Sequence, residues 1–342
     1  MSYDLIFSLG KKVLDGDSIT FDEALQLTQI EDADIPILLA VANKVRETFT
    51  GNEVDTCQIV SARSGNCTEN CKFCAQSAHH EVKLEVYPLM SEDEILAAAK
   101  AAEASGAYRF CIVTSGLGME QDTDFNKILA SIKRIGQETS LNRCCSLGTL
   151  QEEHVQALKE VGITRYHHNL ETSESNFDNI CTTHSYQDRI ATIKRIKAAG
   201  LQACSGGIIG MGETWRHRVE MAFALKELDA DSIPINVLNP VEGTALYGQQ
   251  PMPPMAILQT FAIFRLVLPT KIIRYAGGRE KNLGELVPLG FISGINGMLM
   301  GNYLTTQGRG AQADIATITD LGLKPLCTKN QLVNLPQSKK NC

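Results

Sequence analysis

Apolar residues recur at helical spacing over the first fifty residues and then the rhythm changes. "FDEALQLTQ" and "DIPILLAVANKVRETF" carry apolar side chains at i, i+3 and i+4, which predicts helices. From about residue 57 short β-rich runs alternate with amphipathic ones. "CQIVSA" (57–62), "YRFCIVTSG" (108–116), "NRCCSLG" (142–148), "RYHHNLE" (165–171), "LQACSGGIIG" (201–210), "DSIPINVLN" (231–239) and "KIIRYAGG" (271–278) read as strands. "SEDEILAAAKAAEASGA", "DFNKILASIKRIGQ", "LQEEHVQALKEVG", "SYQDRIATIKRIKAAG", "HRVEMAFALKELD" and "PMAILQTFAIFRLVLP" read as the helices between them. In the first of these Ser91 is the N-cap, Glu94 closes a capping box and Gly106 stands at the C-terminal end. "FISGINGMLMGNYL" (291–304) has room for a last pair.

The count is about eight strand–helix units in roughly 250 residues, the size of a (β/α)8 barrel. A doubly wound open sheet is the alternative. The expected organisation is an N-terminal helical extension (1–50), an α/β, TIM-type (β/α)8 barrel (51–325) and a flexible C-terminal tail (326–342).

Charge and composition then narrow the functional classes. The chain is 44% hydrophobic and 21% charged, enough apolar residue for a real core. Its net charge of −7 offers no basic field for nucleic acid or a membrane surface. No apolar run reaches the roughly 18 residues of a membrane span. The start "MSYDLIFSLGKKVLDGDS" has early acids and no long apolar stretch, so no secretory signal is expected and the cytoplasm is the default. The 11 cysteines in so large a chain point to metal chemistry in a reducing compartment, not to a disulfide framework.

Three of those cysteines are clustered. "SGNCTENCKFCAQSAHH" (64–80) places Cys67, Cys71 and Cys74 at C-x3-C-x2-C spacing after the first strand, at the end of a barrel where active sites form. Three thiolates can hold three irons of a four-iron cluster and leave the fourth iron open to a ligand that is not protein. The alternative is zinc, with His79 or His80 as fourth donor, although the usual paired C-x2-C knuckles are missing.

Other cysteines lie on predicted strands. Alternation directs i and i+2 to one face. If Cys111, Cys144, Cys204 and Arg274 all point inward, three thiols and a guanidinium meet in the lumen, while Cys145 turns away. The alternative is that each cysteine is a small buried hydrophobe. Arg274 needs an acceptor in either case. His167, Asn169 and Glu171 alternate onto one face, and "GGIIGMGET" (206–214) brings glycine backbone to a strand end. Strand-end capping and ion pairing are the plain readings of these residues, and of Arg189 and Asn236.

An aromatic residue, Phe73, precedes Cys74, and C-x3-C-x-aromatic-C resembles the motif of the radical S-adenosylmethionine enzymes. Over residues 57–325 the chain is similar to the biotin synthase family among them. The segments that carry the likeness are "GNCTENCKFCAQS", "YRFC", "CSLGTL", "HHNLETS", "TTHSYQDR", "ACSGGIIGMGET", "SIPINVLNPVEGT", "RYAGGRE" and "LTT", in that order.

The resemblance implies an S-adenosylmethionine-binding 4Fe–4S cluster on Cys67, Cys71 and Cys74, with S-adenosylmethionine as cosubstrate. It implies Phe73 against the adenine, Asn169 toward cofactor and substrate, Glu171 on the ribose hydroxyls and Arg189 on the cofactor carboxylate. Gly207 and Gly210 would lie beside the methionine part, with Asn236 a further polar pocket residue. Cys111, Cys144, Cys204 and Arg274 would hold an auxiliary iron–sulfur cluster, 2Fe–2S in the family, with 4Fe–4S an alternative. The implied reaction converts dethiobiotin to biotin, sulfur coming from the auxiliary cluster and one S-adenosylmethionine being consumed per hydrogen abstracted. A low-potential donor such as flavodoxin or ferredoxin and a homodimer are implied as partners.

The chain departs from that pattern in places. It carries His167 and Glu171 where the best-known members carry Asn and Asp, and its Cys145 and Cys181 have no counterpart there, which leaves room for a differently ligated auxiliary cluster. The rival enzyme readings are sister radical enzymes, of hydrogenase-maturation or methylornithine-mutase type, which need no sulfide donor. The rival outside catalysis is a metal-binding or electron-transfer module, which would complete four protein ligands per metal.

Overall fold

All strands run parallel and the sheet closes on itself. In the computed structural model, which describes residues 2–119, 122–304 and 308–329, the strands are β1 (Glu53–Arg63), β2 (Arg109–Thr114), β3 (Asn142–Ser146), β4 (Arg165–His167), β5 (Gln202–Cys204), β6 (Gly207–Ile209), β7 (Ser232–Val237), β8 (Ile272–Tyr275) and β9 (Gly297–Leu299). A short β10 (Lys324–Pro325) lies beside the start of β1. β5 and β6 both pair with β7 and form one interrupted stave, and β9 returns to β1 with Gly297, Met298 and Leu299 opposite Asp55, Thr56 and Cys57. The result is a closed (β/α)8 barrel of eight staves, not an open sheet.

Helices cover the outside. Glu92–Ala104 begins with the expected reciprocal cap: Ser91 Oγ accepts from Glu94 N (3.3 Å) and Glu94 Oε2 accepts from Ser91 N (2.8 Å). Gly106, at φ 97°, lets the chain turn out of that helix. The N-terminal residues form helices Ser2–Leu14, Phe21–Gln26 and Ile35–Thr50. The last packs on Pro254–Val267, whose residues from Ile257 to Val267 are all buried between it and the barrel.

Two strands differ from the sequence pattern. The run 165–171 is a strand only to His167, because His168 N–H, Leu170 N–H and Glu171 N–H turn to the carbonyls of Cys204 and Gly206. The run 201–210 is broken at Ser205 and Gly206, where a Cβ on Gly206 would lie 2.0 Å from the Pro234 carbonyl oxygen. Leu326 N–H bonds Val54 O, so the end of the barrel is tied down. The expected flexible tail falls mostly outside the described residues, as do Thr305 and Thr306 of "LTT".

The floor of the lumen is charged. Asp55 is 3% exposed and meets Arg274 Nη2 at 2.6 Å, Arg165 Nη1 at 3.3 Å and Arg109 Nη2 at 3.7 Å. Burial opposes ionisation of Asp55, but the three guanidiniums hold its carboxyl well below the usual carboxylate range. Removing one partner of such a buried set leaves charges without compensation, at about 3–5 kcal/mol. Asp55→Asn, which keeps the shape and removes the charge, should therefore lower the urea unfolding free energy by about 3 kcal/mol at neutral pH. An unchanged midpoint would show that the arginines do not depend on this carboxylate.

Candidate active site

The three-cysteine loop leaves β1 through two residues of positive φ, Gly65 (79°) and Asn66 (52°). A Cβ on Gly65 would sit 2.6 Å from a Val86 methyl, so glycine is needed for both space and conformation. The loop then folds back on itself: Cys67 N–H donates to Gln76 O (3.0 Å), Ala78 N–H to Cys67 O (2.8 Å) and Cys74 N–H to Cys71 O (2.9 Å). Gln76 Oε1 accepts from Gly65 N–H at 3.0 Å. Lys72 N–H donates to Ile180 O, and Asn70 Nδ2 to Thr182 Oγ1, tying the loop to the segment after β4.

Cys67, Cys71 and Cys74 all border one cavity, as does Phe73, which packs beside Ile180, Met211 and Leu238. Their three sulfurs do not all fall within 4.8 Å of one another, wider than the donor set of a single zinc ion. His79 and His80 complete no such set: each places a ring nitrogen 2.9 Å from a carbonyl, of Thr68 and Cys74 respectively.

Among the described residues one group of three ligating atoms does lie within 4.8 Å: Cys71, Cys181 and His184. Cys181 Sγ is 3.6 Å from Cys71 Sγ. His184 Nδ1 contacts the Glu69 carboxylate and its Nε2 accepts from Arg189 Nε at 3.1 Å. Cys181 thus stands beside the three-cysteine loop and not in the lumen. Nothing local in "TTHSYQDR" signals this contact, because its partner is distant in sequence.

The polar residues of the wall form a connected set. Arg189 Nη1 donates to Asn169 O (3.0 Å) and approaches Glu171 Oε1 (3.5 Å). Asn169 Nδ2 donates to Glu171 Oε2 (3.3 Å), and its Oδ1 accepts from Gly206 N–H (3.1 Å). Glu171 has φ 70°, a left-handed conformation held by Ile208 N–H on its carbonyl. So His167, Asn169 and Glu171 all border the cavity, but a loop brings the last two there, and His168 joins them. His168 is kept neutral: burial and the nearby Arg189 push its pKa far down. Asn236 faces the cavity with Oδ1 bound by Gly277 N–H (2.9 Å).

Gly207 and Gly210 do not border the cavity; Ile208 between them does. A Cβ on Gly207 would meet Met221 Sδ at 2.4 Å and Glu171 O at 2.6 Å, so that glycine serves close backbone packing. Gly210, at φ 89°, donates its N–H to Glu213 Oε1.

Cys111, Cys144, Cys204 and Arg274 come together in the lumen, bordering the same cavity of about 420 Å³. The register is direct: Cys111 faces Cys144 across β2 and β3, and His167 faces Cys204 across β4 and β5. Cys145 is fully buried in the main hydrophobic core on the other side of the sheet. Cys57 was not singled out by its sequence, yet it packs with Cys111 and Cys144 in one buried cluster. Alternation along β1, which puts Asp55, Cys57 and Ile59 on one face, is the signal that finds it.

Electrostatics differ among these thiols. Burial lifts Cys57 to about 12 and Cys111 well above the ordinary thiol value. Burial would also raise Cys204, but His167, whose Nδ1 is 3.4 Å from its sulfur, together with Arg274 and Arg165 brings it down to about 6. Burial opposes charge on His167 too, and the Cys204 thiolate outweighs it and raises that imidazole.

Comparison with known proteins adds sequence relatives and structural neighbours. The family model "Radical SAM superfamily" matches residues 62–225 and "Biotin and Thiamin Synthesis associated domain" matches 234–324. The chain is 55% identical over 323 residues to the biotin synthase of Carboxydothermus hydrogenoformans, covering 94% of this chain and 99% of that protein. It is 52% identical over 320 residues to that of Clostridium acetobutylicum, covering 93% and 98%. Among solved structures, methylornithine synthase superposes with TM-score 0.80 at 21% identity, covering 93% of this chain and 97% of that one. The FeFe-hydrogenase maturase of Carboxydothermus hydrogenoformans gives 0.79 at 18% identity, covering 98% and 81%. These last two share the fold.

The contact between Cys71 and Cys181 generates a test. Hydrogen bonding from the Cys71 thiol brings Cys181 down to about 5, so above that pH Cys181 is the nucleophilic thiolate of the pair. Mild oxidation of the iron-free protein at neutral pH should link Cys71 to Cys181, seen as a crosslinked peptide by mass spectrometry. The rate should fall as the pH is lowered through about 5. Absence of this crosslink at neutral pH would contradict the contact.

Proposed function

The chain belongs to the biotin synthase family of radical S-adenosylmethionine enzymes, and from that premise we infer that it inserts sulfur between two unactivated carbons of dethiobiotin, C6 and C9, to make biotin. The observation that carries the assignment of roles is the single cavity of about 420 Å³ reaching from the three-cysteine loop at its mouth to the thiols of the lumen. Its volume lies within the range of small-molecule sites. Radical generation at one end and a sulfur source at the other would therefore face one shared cavity.

The donor chemistry fits iron–sulfur groups at both ends. Cys67, Cys71 and Cys74, held by the folded loop and too widely spread for one zinc ion, would hold the S-adenosylmethionine-binding 4Fe–4S cluster. Cys111, Cys144 and Cys204 would hold the auxiliary cluster. When bound, these groups supply a 5′-deoxyadenosyl radical and the sulfur atom, chemistry that acid–base side chains cannot reach.

The protein's own part is binding, orientation and exclusion of water. Arg189, bound to the Asn169 carbonyl and close to the Glu171 carboxylate, would receive the cofactor carboxylate. Glu171 has its second oxygen near Asn169 Nδ2 and can exchange that contact for ribose hydroxyls. Phe73 offers a face for the adenine, and Asn169 with Asn236 offers amides to cofactor and substrate. Neutral His168 adds no charge to the wall. A low-potential donor such as flavodoxin or ferredoxin, a homodimeric state and a cytoplasmic setting complete the reading, supported by the family resemblance alone. Among the described residues no helix is long and apolar enough to cross a membrane.

Two outcomes test these roles. Cys67→Ala, Cys71→Ala and Cys74→Ala should each reduce 5′-deoxyadenosine release to background, and a variant releasing it at the parent rate refutes the ligand assignment. Cys144→Ser should still bind S-adenosylmethionine and make no biotin. Its neighbour Cys145→Ser, buried in the outer core, should lose about 1–3 kcal/mol of stability and keep biotin formation near the parent level. Biotin production by Cys144→Ser but not by Cys145→Ser would reverse the assignment of the two faces.

A further inference from the structure

We propose that Cys57, and not Arg274, is the fourth protein ligand of the auxiliary iron–sulfur cluster, so that the lumen site consists of four thiolates from β1, β2, β3 and β5. The proposal rests on the reading that Cys111, Cys144 and Cys204 hold that cluster.

Placement comes first. Cys57 lies opposite Arg109 on β2 and Leu299 on β9, with its side chain in the lumen. It is 5% exposed, borders the cavity, and packs with Cys111 and Cys144. Three neighbouring staves thus contribute one thiol each, and Cys204 supplies the fourth from further round the barrel. Cys57 has no evident structural task. Among the described residues its one side-chain hydrogen bond is a long contact from Sγ to the carbonyl of adjacent Gln58, at 3.6 Å. Cys145 sits wholly within the main hydrophobic core; Cys57 shares Ile59, Val113 and Leu299 with two other thiols and stands over the charged floor.

Arg274 is differently engaged. Its Nη2 donates to Asp55 Oδ1 at 2.6 Å and its Nε donates to Ser232 Oγ at 2.9 Å, all of these groups being buried. A guanidinium is a donor with no lone pair to offer iron. Coordination would require it to give up a proton while paired with a buried carboxylate. As a cation it has another use. Arg109, Arg165 and Arg274 stand against the single carboxylate of Asp55, three positive charges to one negative, which leaves two positive charges below the thiols. A cluster bound by four thiolates is anionic, and this floor offsets it. Arg274 is then a positioning residue that fixes charge beneath the cluster.

The experiment removes the first cluster so that only lumen iron is read. In a background with Cys67, Cys71 and Cys74 all changed to Ala, the protein is reconstituted anaerobically with 57Fe and sulfide. Iron per chain, visible absorption and Mössbauer spectra are recorded for that background and with Cys57→Ala, Arg274→Lys or Cys144→Ser added. Cys57→Ala should lower retained iron about tenfold or more under limiting iron. Arg274→Lys keeps the charge beside Asp55 and should keep the iron and the Mössbauer spectrum. Full iron and an unchanged spectrum in Cys57→Ala would overturn the proposal.

A measurement on the background protein itself needs no variant at position 57 or 274. With 15N in the arginine guanidinium groups, pulsed EPR of the reduced lumen cluster should show no directly bonded nitrogen, and a strong 15N coupling would overturn the proposal. Failure of the underlying reading looks different: the background protein then binds no iron, or Cys144→Ser leaves it unchanged.

Discussion

One buried carboxylate organises the barrel floor. Asp55 on β1 draws in guanidiniums from β2, β4 and β8, and each of those arginines has a second partner on a neighbouring element: Thr164 for Arg109, Gln202 for Arg165 and Ser232 for Arg274. Four staves are thereby keyed to one another at the level just below the thiols. Burying one isolated charge there would be costly, and the set is tolerable because each member compensates another. Because these contacts also fix which residues point inward, the positions of Cys57, Cys111, Cys144 and Cys204 follow from the same register.

Above this floor the cavity changes character. Its lower walls are strand side chains set by alternation, and its upper walls are loops held by backbone hydrogen bonds. Asn169, Glu171 and Arg189 belong to the second kind, and Glu171 reaches its place through a left-handed backbone. A charged side chain in that conformation is held by its neighbours, with the Arg189 contact and the Glu171–Gly207 bridge doing so here.

Much of this was legible in the sequence because it depended on short-range pattern. The rhythm of strands and helices gave the barrel, and the capping box at Ser91 was readable residue by residue. Strand alternation correctly separated Cys144 from Cys145. Other features depended on contacts between distant segments. The break between β5 and β6 comes from the close approach of the Pro234 carbonyl, which no local pattern announces. Cys181 meets Cys71 only because Lys72 and Ile180 are joined across two loops. Gly207 and Gly210 read as ligand-facing glycines, yet the first is there for packing against Met221 and the second for its turn. Cys57 obeys the same alternation rule, but one cysteine on a strand carries no mark of what faces it.

The sealed floor bears on how such an enzyme is renewed. Asp55, Arg165, Arg274 and Ser232 are all buried at the base of the lumen, so the way in lies past the three-cysteine loop and the Arg189 wall. A sulfur donor seated among the lumen thiols, as proposed, would be replaced only from the top of this well. Rebuilding that donor and admitting cofactor and substrate would then share one doorway, so the segment that frames it, from Cys67 to Cys74, would govern both.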